Sequence, residues 1–323
     1  MKFIEKLETY FNSGSTDKQN QRRLGGLLIS ITALLLAIAI LVTAIGLVVN
    51  LFSGLGNGPD DNGEDDGPTV NTHLLATSFE EVLAKANKNG YLSATSTEAL
   101  AETSYTTLRQ TNRPKVTVDG KETNLYRCQN ADNFALQNEA KAAFDALALE
   151  FYNKEGLNTL WVKLAYNIAG DNVAPYATAQ AIMLDYSVSG NESEGSIFGV
   201  EEYKWIYENA HLYGFVRVSN EEGEQNVFRY VGLANAKYIQ SKQKKADTFY
   251  TVDNYLEEIK ATNPNKTMSI KGVAKALGEK STTTVYVYYM PTDSAEFMLP
   301  NNNKYGFTVD DIGTGYVVSY WKL

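Results

Sequence analysis

Two histidines and one cysteine limit the chemistry open to this chain. A hydrolytic zinc centre needs nitrogen or sulfur ligands, commonly with a carboxylate, and one coordination position left for water. A two-histidine site here would have to use both His73 and His211. His211 falls on a helical pattern just before a hairpin and His73 at the end of a linker, and neither spacing is that of a ligand pair. Each reads as a structural histidine. Cys128 has no second cysteine, so no disulfide framework supports the fold. A net charge of −9 without a basic stripe removes nucleic acid as a partner.

The densest pattern is Trp205 to Gly232, W-I-Y-E-N-A-H-L-Y-G-F-V-R-V-S-N-E-E-G-E-Q-N-V-F-R-Y-V-G. Trp205, Ile206, Ala210 and Tyr213 have helical spacing, and Gly214 stands where a left-handed cap belongs. Phe215 to Ser219 alternates as a strand, Asn220 to Gly223 has turn composition, and Val227 to Val231 is the return strand. A helix from Leu233 to Ser241 follows. This stretch resembles the zinc D-alanyl-D-alanine carboxypeptidases of the VanY type, whose members carry W-L-x-x-N-A-x-x-Y-G-F, a hairpin, and E-P-W-H-x-R-Y-V-G. Trp205, Asn209, Ala210, Tyr213, Gly214 and Phe215 match, as do Glu224, Arg229, Tyr230, Val231 and Gly232.

The resemblance implies a site and departs from it at the same time. The family's S-x-H-x-x-G-x-x-x-D corresponds to Tyr176 through Asp185, which keeps the aspartate ligand but has Thr178 at the histidine. Val227 stands at the third ligand, the histidine of E-P-W-H. The substrate-carboxylate clamp of S-G-Y-R corresponds to Leu164-Ala165-Tyr166-Asn167, with Asn167 in place of arginine. Glu224 falls on the catalytic base, and Tyr166, Asn167 and Tyr176 on the substrate side of the cleft. Zinc is expected only if other ligands replace the lost ones. Without it Glu224 has no water to activate and reads as a solvated turn residue. Asp185 reads equally as a group hydrogen-bonded within the fold or as a remnant of binding.

The remaining elements are read in chain order. Residues 1–23 form a cytoplasmic amphipathic tail. Residues 24–51 are an uncharged apolar membrane span, and 52–72 an acidic flexible linker. Basic residues before the span and acidic ones after it place the N-terminus inside and the rest outside. Ser78 and Glu81 form a capping box. Asp119-Gly120 marks a hairpin. Asn133 is expected to cap a helix whose stripe is Ala140, Phe144, Leu147 and Phe151, ended by Gly156. Leu160 to Tyr166 is a strand. Residues 246–323 begin with a helix from Val252 to Ile259 and continue as short strands near Thr284, Phe297, Tyr305 and Tyr316.

The expected architecture is α+β. A zinc D,D-peptidase-like domain (73–245), with helices around a small antiparallel sheet, is followed by a small β-rich C-terminal appendage (246–323). The reading that follows is a membrane-anchored, extracellular pseudoenzyme that binds cell-wall peptide or a surface protein and needs no cofactor. An active zinc carboxypeptidase with rearranged ligands and a purely structural surface protein stand as the alternatives.

Overall fold

The computed structural model describes residues 73–323 except 89, 94–99, 171 and 246–247. The expected tail, membrane span and linker (1–72) lie outside the described residues. Among the described residues no helix is long and apolar enough to cross a membrane.

A central sheet runs in the order Phe215–Arg217, Val227–Tyr230, Ala181–Tyr186, Leu160–Leu164, Arg127–Cys128, with Gly195–Ser196 added alongside Ala181–Tyr186. Its pairs are antiparallel except Arg127–Cys128 with Leu160–Leu164, so the expected antiparallel sheet is in fact mixed. Side chains alternate across a strand. Ile182, Leu184 and Phe228 therefore face one side, where helix Asn138–Glu155 lays down Ala140, Phe144, Leu147 and Phe151. Gly156 closes that helix in the left-handed region, at φ 72°. Asn133 does not cap it. Phe134–Gln137 is drawn into a strand between Tyr105–Thr107 and Tyr166–Asn167, the helix starts at Asn138, and the Asn133 amide donates to Asn130 instead.

Several local expectations appear as drawn. Ser78 accepts from the Glu81 amide at the start of helix Phe79–Lys85, but the Glu81 carboxylate accepts from the Thr77 hydroxyl instead of closing the capping box. Asp119 and Gly120, at φ 49° and 76°, turn the hairpin Lys115–Val118/Lys121–Asn124. Helix Lys204–Asn209 tightens into a 3₁₀ turn, Ala210–Tyr213, before Gly214 at φ 81°. The helix after the hairpin spans Leu233–Gln243.

The C-terminal strands form an antiparallel sheet ordered Met268–Ala274, Thr282–Pro291, Gly315–Lys322, Tyr305–Asp311. Both of its faces are covered. Val285, Val287 and Tyr289 pack with Val216, Val231, Ala236 and Ile239 and with helix Val252–Lys260. Tyr288, Met290 and Tyr320 pack with Leu74 and Val82 on the other side. The β-rich region thus shares a core with residues that precede it. Leu74–Thr77 pairs with Phe297–Pro300, so the beginning of the described chain is stitched to its end.

Between these layers runs the segment Gly90 to Ser93. Arg229, 5% exposed, donates from Nη2 to the carbonyls of Ser93 (2.9 Å) and Tyr91 (3.3 Å). Gln180 donates to Gly90 O at 2.8 Å, and the Leu92 amide donates to Asp310 Oδ2 at 3.2 Å. The Tyr91 hydroxyl donates to Glu139, and its ring meets Tyr230 edge-on. A Cβ on Gly90 would stand 2.1 Å from Asp310 Oδ1. Asp310 is buried and hydrogen-bonded, so it has no easy retreat. Gly90→Ala is expected to cost about 1–3 kcal/mol by overpacking, read from the chemical denaturation midpoint. An unchanged midpoint would contradict this packing.

Burial holds the Asp310 carboxyl up, to about 7, against the opposing pull of the Leu92 amide and Arg229. The unfolded value is about 4. Between the two, the folded state keeps a proton that the unfolded state has released, so this group's contribution falls as pH rises from about 4 to 7. Asp310→Asn imitates the neutral form. It should gain stability relative to the parent between pH 4 and pH 8, measured by urea unfolding at both. The comparison cancels His211, which burial lowers to about 4 and which acts in the opposite direction. A pH-independent difference would contradict the assignment.

Candidate functional site

The side of the central sheet away from helix Asn138–Glu155 carries Met183 and Asp185 on one strand and Val227 and Arg229 on its neighbour. Arg229 is already engaged with the Gly90–Ser93 segment. The candidate site lies toward the other end of this row, around Asp185, which has no solvent exposure.

A buried carboxylate must be paired or hydrogen-bonded. Asp185 is satisfied on both oxygens. Asn226 Nδ2 donates to Oδ1 at 2.7 Å. Ser193 Oγ donates to Oδ2, and Lys163 Nζ lies 3.0 Å from the same oxygen. Each partner has a local cause. Lys163 sits at the irregularity between Val162 and Leu164, where the pairing with Ala181–Tyr186 skips a residue. This bulge redirects one side chain of an apolar strand. Asn226 immediately precedes strand Val227–Tyr230, and its amide also donates to Leu184 O at 2.8 Å. Ser193 belongs to the loop that returns to pair Gly195–Ser196 with Asp185 and Tyr186. The Lys163 side chain is 46% exposed, so the cation stands between the buried carboxylate and solvent.

The other residues expected at the site are placed as follows. Thr178 is fully buried, and its hydroxyl faces Gln180 Oε1 at 3.4 Å. Val227 is buried opposite Met183, and it is the preceding residue, Asn226, that reaches Asp185. Glu224 is exposed in the turn before the strand. Tyr176 lies near it. Burial first, and the Glu224 charge second, push the Tyr176 phenol up to about 12. Tyr166 rests against Tyr105, with ring centroids 5.8 Å apart. Asn167 is taken up by its own loop. Its amide N–H donates to Asn172 Oδ1 (2.6 Å), its carbonyl accepts from Asn172 (2.8 Å), and its side-chain oxygen accepts from the Ala169 N–H (3.1 Å).

The residues present do not fit zinc. A buried threonine hydroxyl and a valine offer no usable ligand. Asp185, the remaining donor, already has both oxygens occupied. The histidines lie elsewhere. His73 Nδ1 lies 2.8 Å from the Tyr305 hydroxyl, and His211 is held in the Ala210–Tyr213 turn. Among the described residues no group of three histidine, cysteine, aspartate or glutamate side chains is placed to hold a metal. Sequence reasoning missed Lys163, Asn226 and Ser193. A lysine inside the apolar run L-W-V-K-L was a visible signal. The serine, in a loop of serines, glycines and glutamates, gave none.

No family model matches this chain, and no curated protein matches it in sequence. Several solved structures are similar to it, three of them as follows. The vancomycin-resistance D,D-dipeptidase VanXYg, in complex with a D-Ala-D-Ala phosphinate analogue, has a TM-score of 0.48 at 14% identity, over 77% of this chain and 98% of its own. The LD-carboxypeptidase LdcB has a TM-score of 0.31 at 20% identity, over 48% and 98%. A mutant of the D,D-pentapeptidase VanY from the VanB-type cassette, with Zn(II), has a TM-score of 0.29 at 16% identity, over 40% and 86%.

Removing the Lys163 charge leaves a buried carboxylate with only two neutral donors. Lys163→Met is expected to lower stability by about 1–3 kcal/mol. Solvent screening of the half-exposed ammonium argues for the lower part of that range. Urea unfolding at neutral pH measures it, and a variant as stable as the parent would show that the pair carries no weight.

Proposed function

We propose that this chain is a cell-surface binding protein built on a D,D-peptidase-type scaffold, recognising the peptide of the cell wall without zinc-dependent hydrolysis. The apolar stretch 24–51 anchors it in the membrane, and residues 73–323 lie outside. The observation that carries this reading is the state of Asp185: Lys163 supplies the positive charge, and Asn226 and Ser193 fill the remaining acceptor capacity. A zinc hydrolase needs that carboxylate for the metal and a glutamate poised on metal-bound water. Glu224 here sits in an exposed turn.

The peptide assignment rests on the match between Trp205–Gly232 and the carboxypeptidase motif. The surroundings suit a bound peptide. Leu164, Ile168 and Val173 are exposed apolar side chains flanking Tyr166 and Asn167, and Tyr176 offers a phenol beside Glu224. On such a surface apolar contact would supply affinity and a few polar groups orientation.

The test uses the full-length protein with isolated sacculi and with a muropeptide ending in D-Ala-D-Ala, with zinc supplied. The reading predicts retention on sacculi, weakened roughly ten-fold by Tyr176→Ala, and no release of D-alanine. Release of D-alanine abolished by Asp185→Ala would establish an active enzyme instead. Failure to bind either probe would remove the wall peptide as the ligand.

A further inference from the structure

A cavity of about 200 Å³ opens between the C-terminal sheet and the start of helix Leu233–Gln243, with Tyr91 and Tyr230 on its wall. We propose that it binds a single neutral pyranose ring, a function separate from the peptide-binding site around Asp185. Three features of its lining lead there.

The first is the floor. Where the sheet faces the helices, its inward positions are apolar: Val285, Val287, Tyr289 and Val317. Toward the cavity the same alternation delivers hydroxyls instead, with Thr308 directly opposite Ser319 and Thr283 opposite Val273. The Thr308 and Ser319 hydroxyls have no protein partner among the described residues. Each is free to donate and accept, as the paired hydroxyls of a sugar require.

The second is the platform. Trp321 faces Gly306 across the strand pair, and a Cβ there would lie 2.7–2.8 Å from the indole atoms Cε2, Cζ2 and Nε1. Glycine thus lets the indole lie flat on the neighbouring strand, and Trp321 also borders the cavity. Such a pairing strengthens a sheet in its own right. A flat, half-buried indole beside unpaired hydroxyls also meets the amphipathic needs of a sugar, whose ring has an apolar C–H face and a polar edge.

The third is size and charge. The volume lies below the range for drug-sized ligands, so one ring fits and a longer segment does not. Among the described residues no acidic side chain lines the cavity, and Lys275 is the charged group in the lining. A small anion is therefore the rival occupant.

The experiment titrates the full-length protein with glucose, galactose, N-acetylglucosamine, acyclic sorbitol and acetate. Binding is read by saturation-transfer NMR and tryptophan fluorescence. The proposal predicts millimolar binding of at least one pyranose and none of sorbitol or acetate. It further predicts a loss of roughly ten-fold in Trp321→Leu and several-fold in Thr308→Val, with the unfolding midpoint of Thr308→Val unchanged. If Trp321→Leu fails to fold, Thr308→Val carries the test. A β-linked disaccharide bound more tightly than the monosaccharide assigns the end of a glycan chain, and equal affinity assigns the free sugar. Silence for every pyranose at tens of millimolar, binding of acetate in their place, or undiminished binding in both variants would overturn the proposal.

Discussion

A charge buried at the meeting point of three chain regions organises this molecule. Arg229, on the central sheet, is desolvated far enough that its guanidinium falls to about 10, still charged at neutral pH. Such a group is tolerated only where its surroundings answer it. The answer comes from the carbonyls of Tyr91 and Ser93, held in place because the Leu92 amide between them is bound by Asp310 of the C-terminal sheet. The central sheet, the early segment and the C-terminal sheet are thereby set in one register. Gly90 is needed because Asp310 fills the space where a side chain would be.

The same logic explains the Asp185 centre. A carboxylate without solvent contact requires positive charge and donors from somewhere. In a metal site the ion supplies the charge. Here a bulged lysine supplies it, and an asparagine and a serine complete the shell. The aspartate is the hub that ties Leu160–Leu164, Ala181–Tyr186 and the Ser193 loop together.

Much of the local architecture was legible because its causes are local. Gly156 and Gly214 end helices in the left-handed region, Asp119-Gly120 turns a hairpin, and Ser78 caps a helix through the Glu81 amide. What escaped depends on distant partners. Asn133 has the composition of a cap, yet Phe134–Gln137 is claimed by one strand earlier in the chain and one later, Tyr105–Thr107 and Tyr166–Asn167. The pairing of Leu74–Thr77 with Phe297–Pro300, and the passage of Gly90–Ser93 between two cores, leave no periodic trace. At the candidate site, the sequence leaves Asp185 readable equally as a group hydrogen-bonded within the fold or as a remnant of binding, and the structure shows the hydrogen bonds. Its partners were not legible, because each comes from a different segment and Lys163 owes its direction to a bulge.

The Lys163 ammonium, 3.0 Å from Asp185 Oδ2, supplies the positive charge that this buried carboxylate requires. Zinc content measures this most directly: the full-length protein is incubated with excess zinc, desalted, and analysed for bound metal beside Asp185→Ala. Far less than one zinc per chain is expected in both proteins. One zinc per chain in the parent, lost in Asp185→Ala, would contradict it and return the centre to metal chemistry.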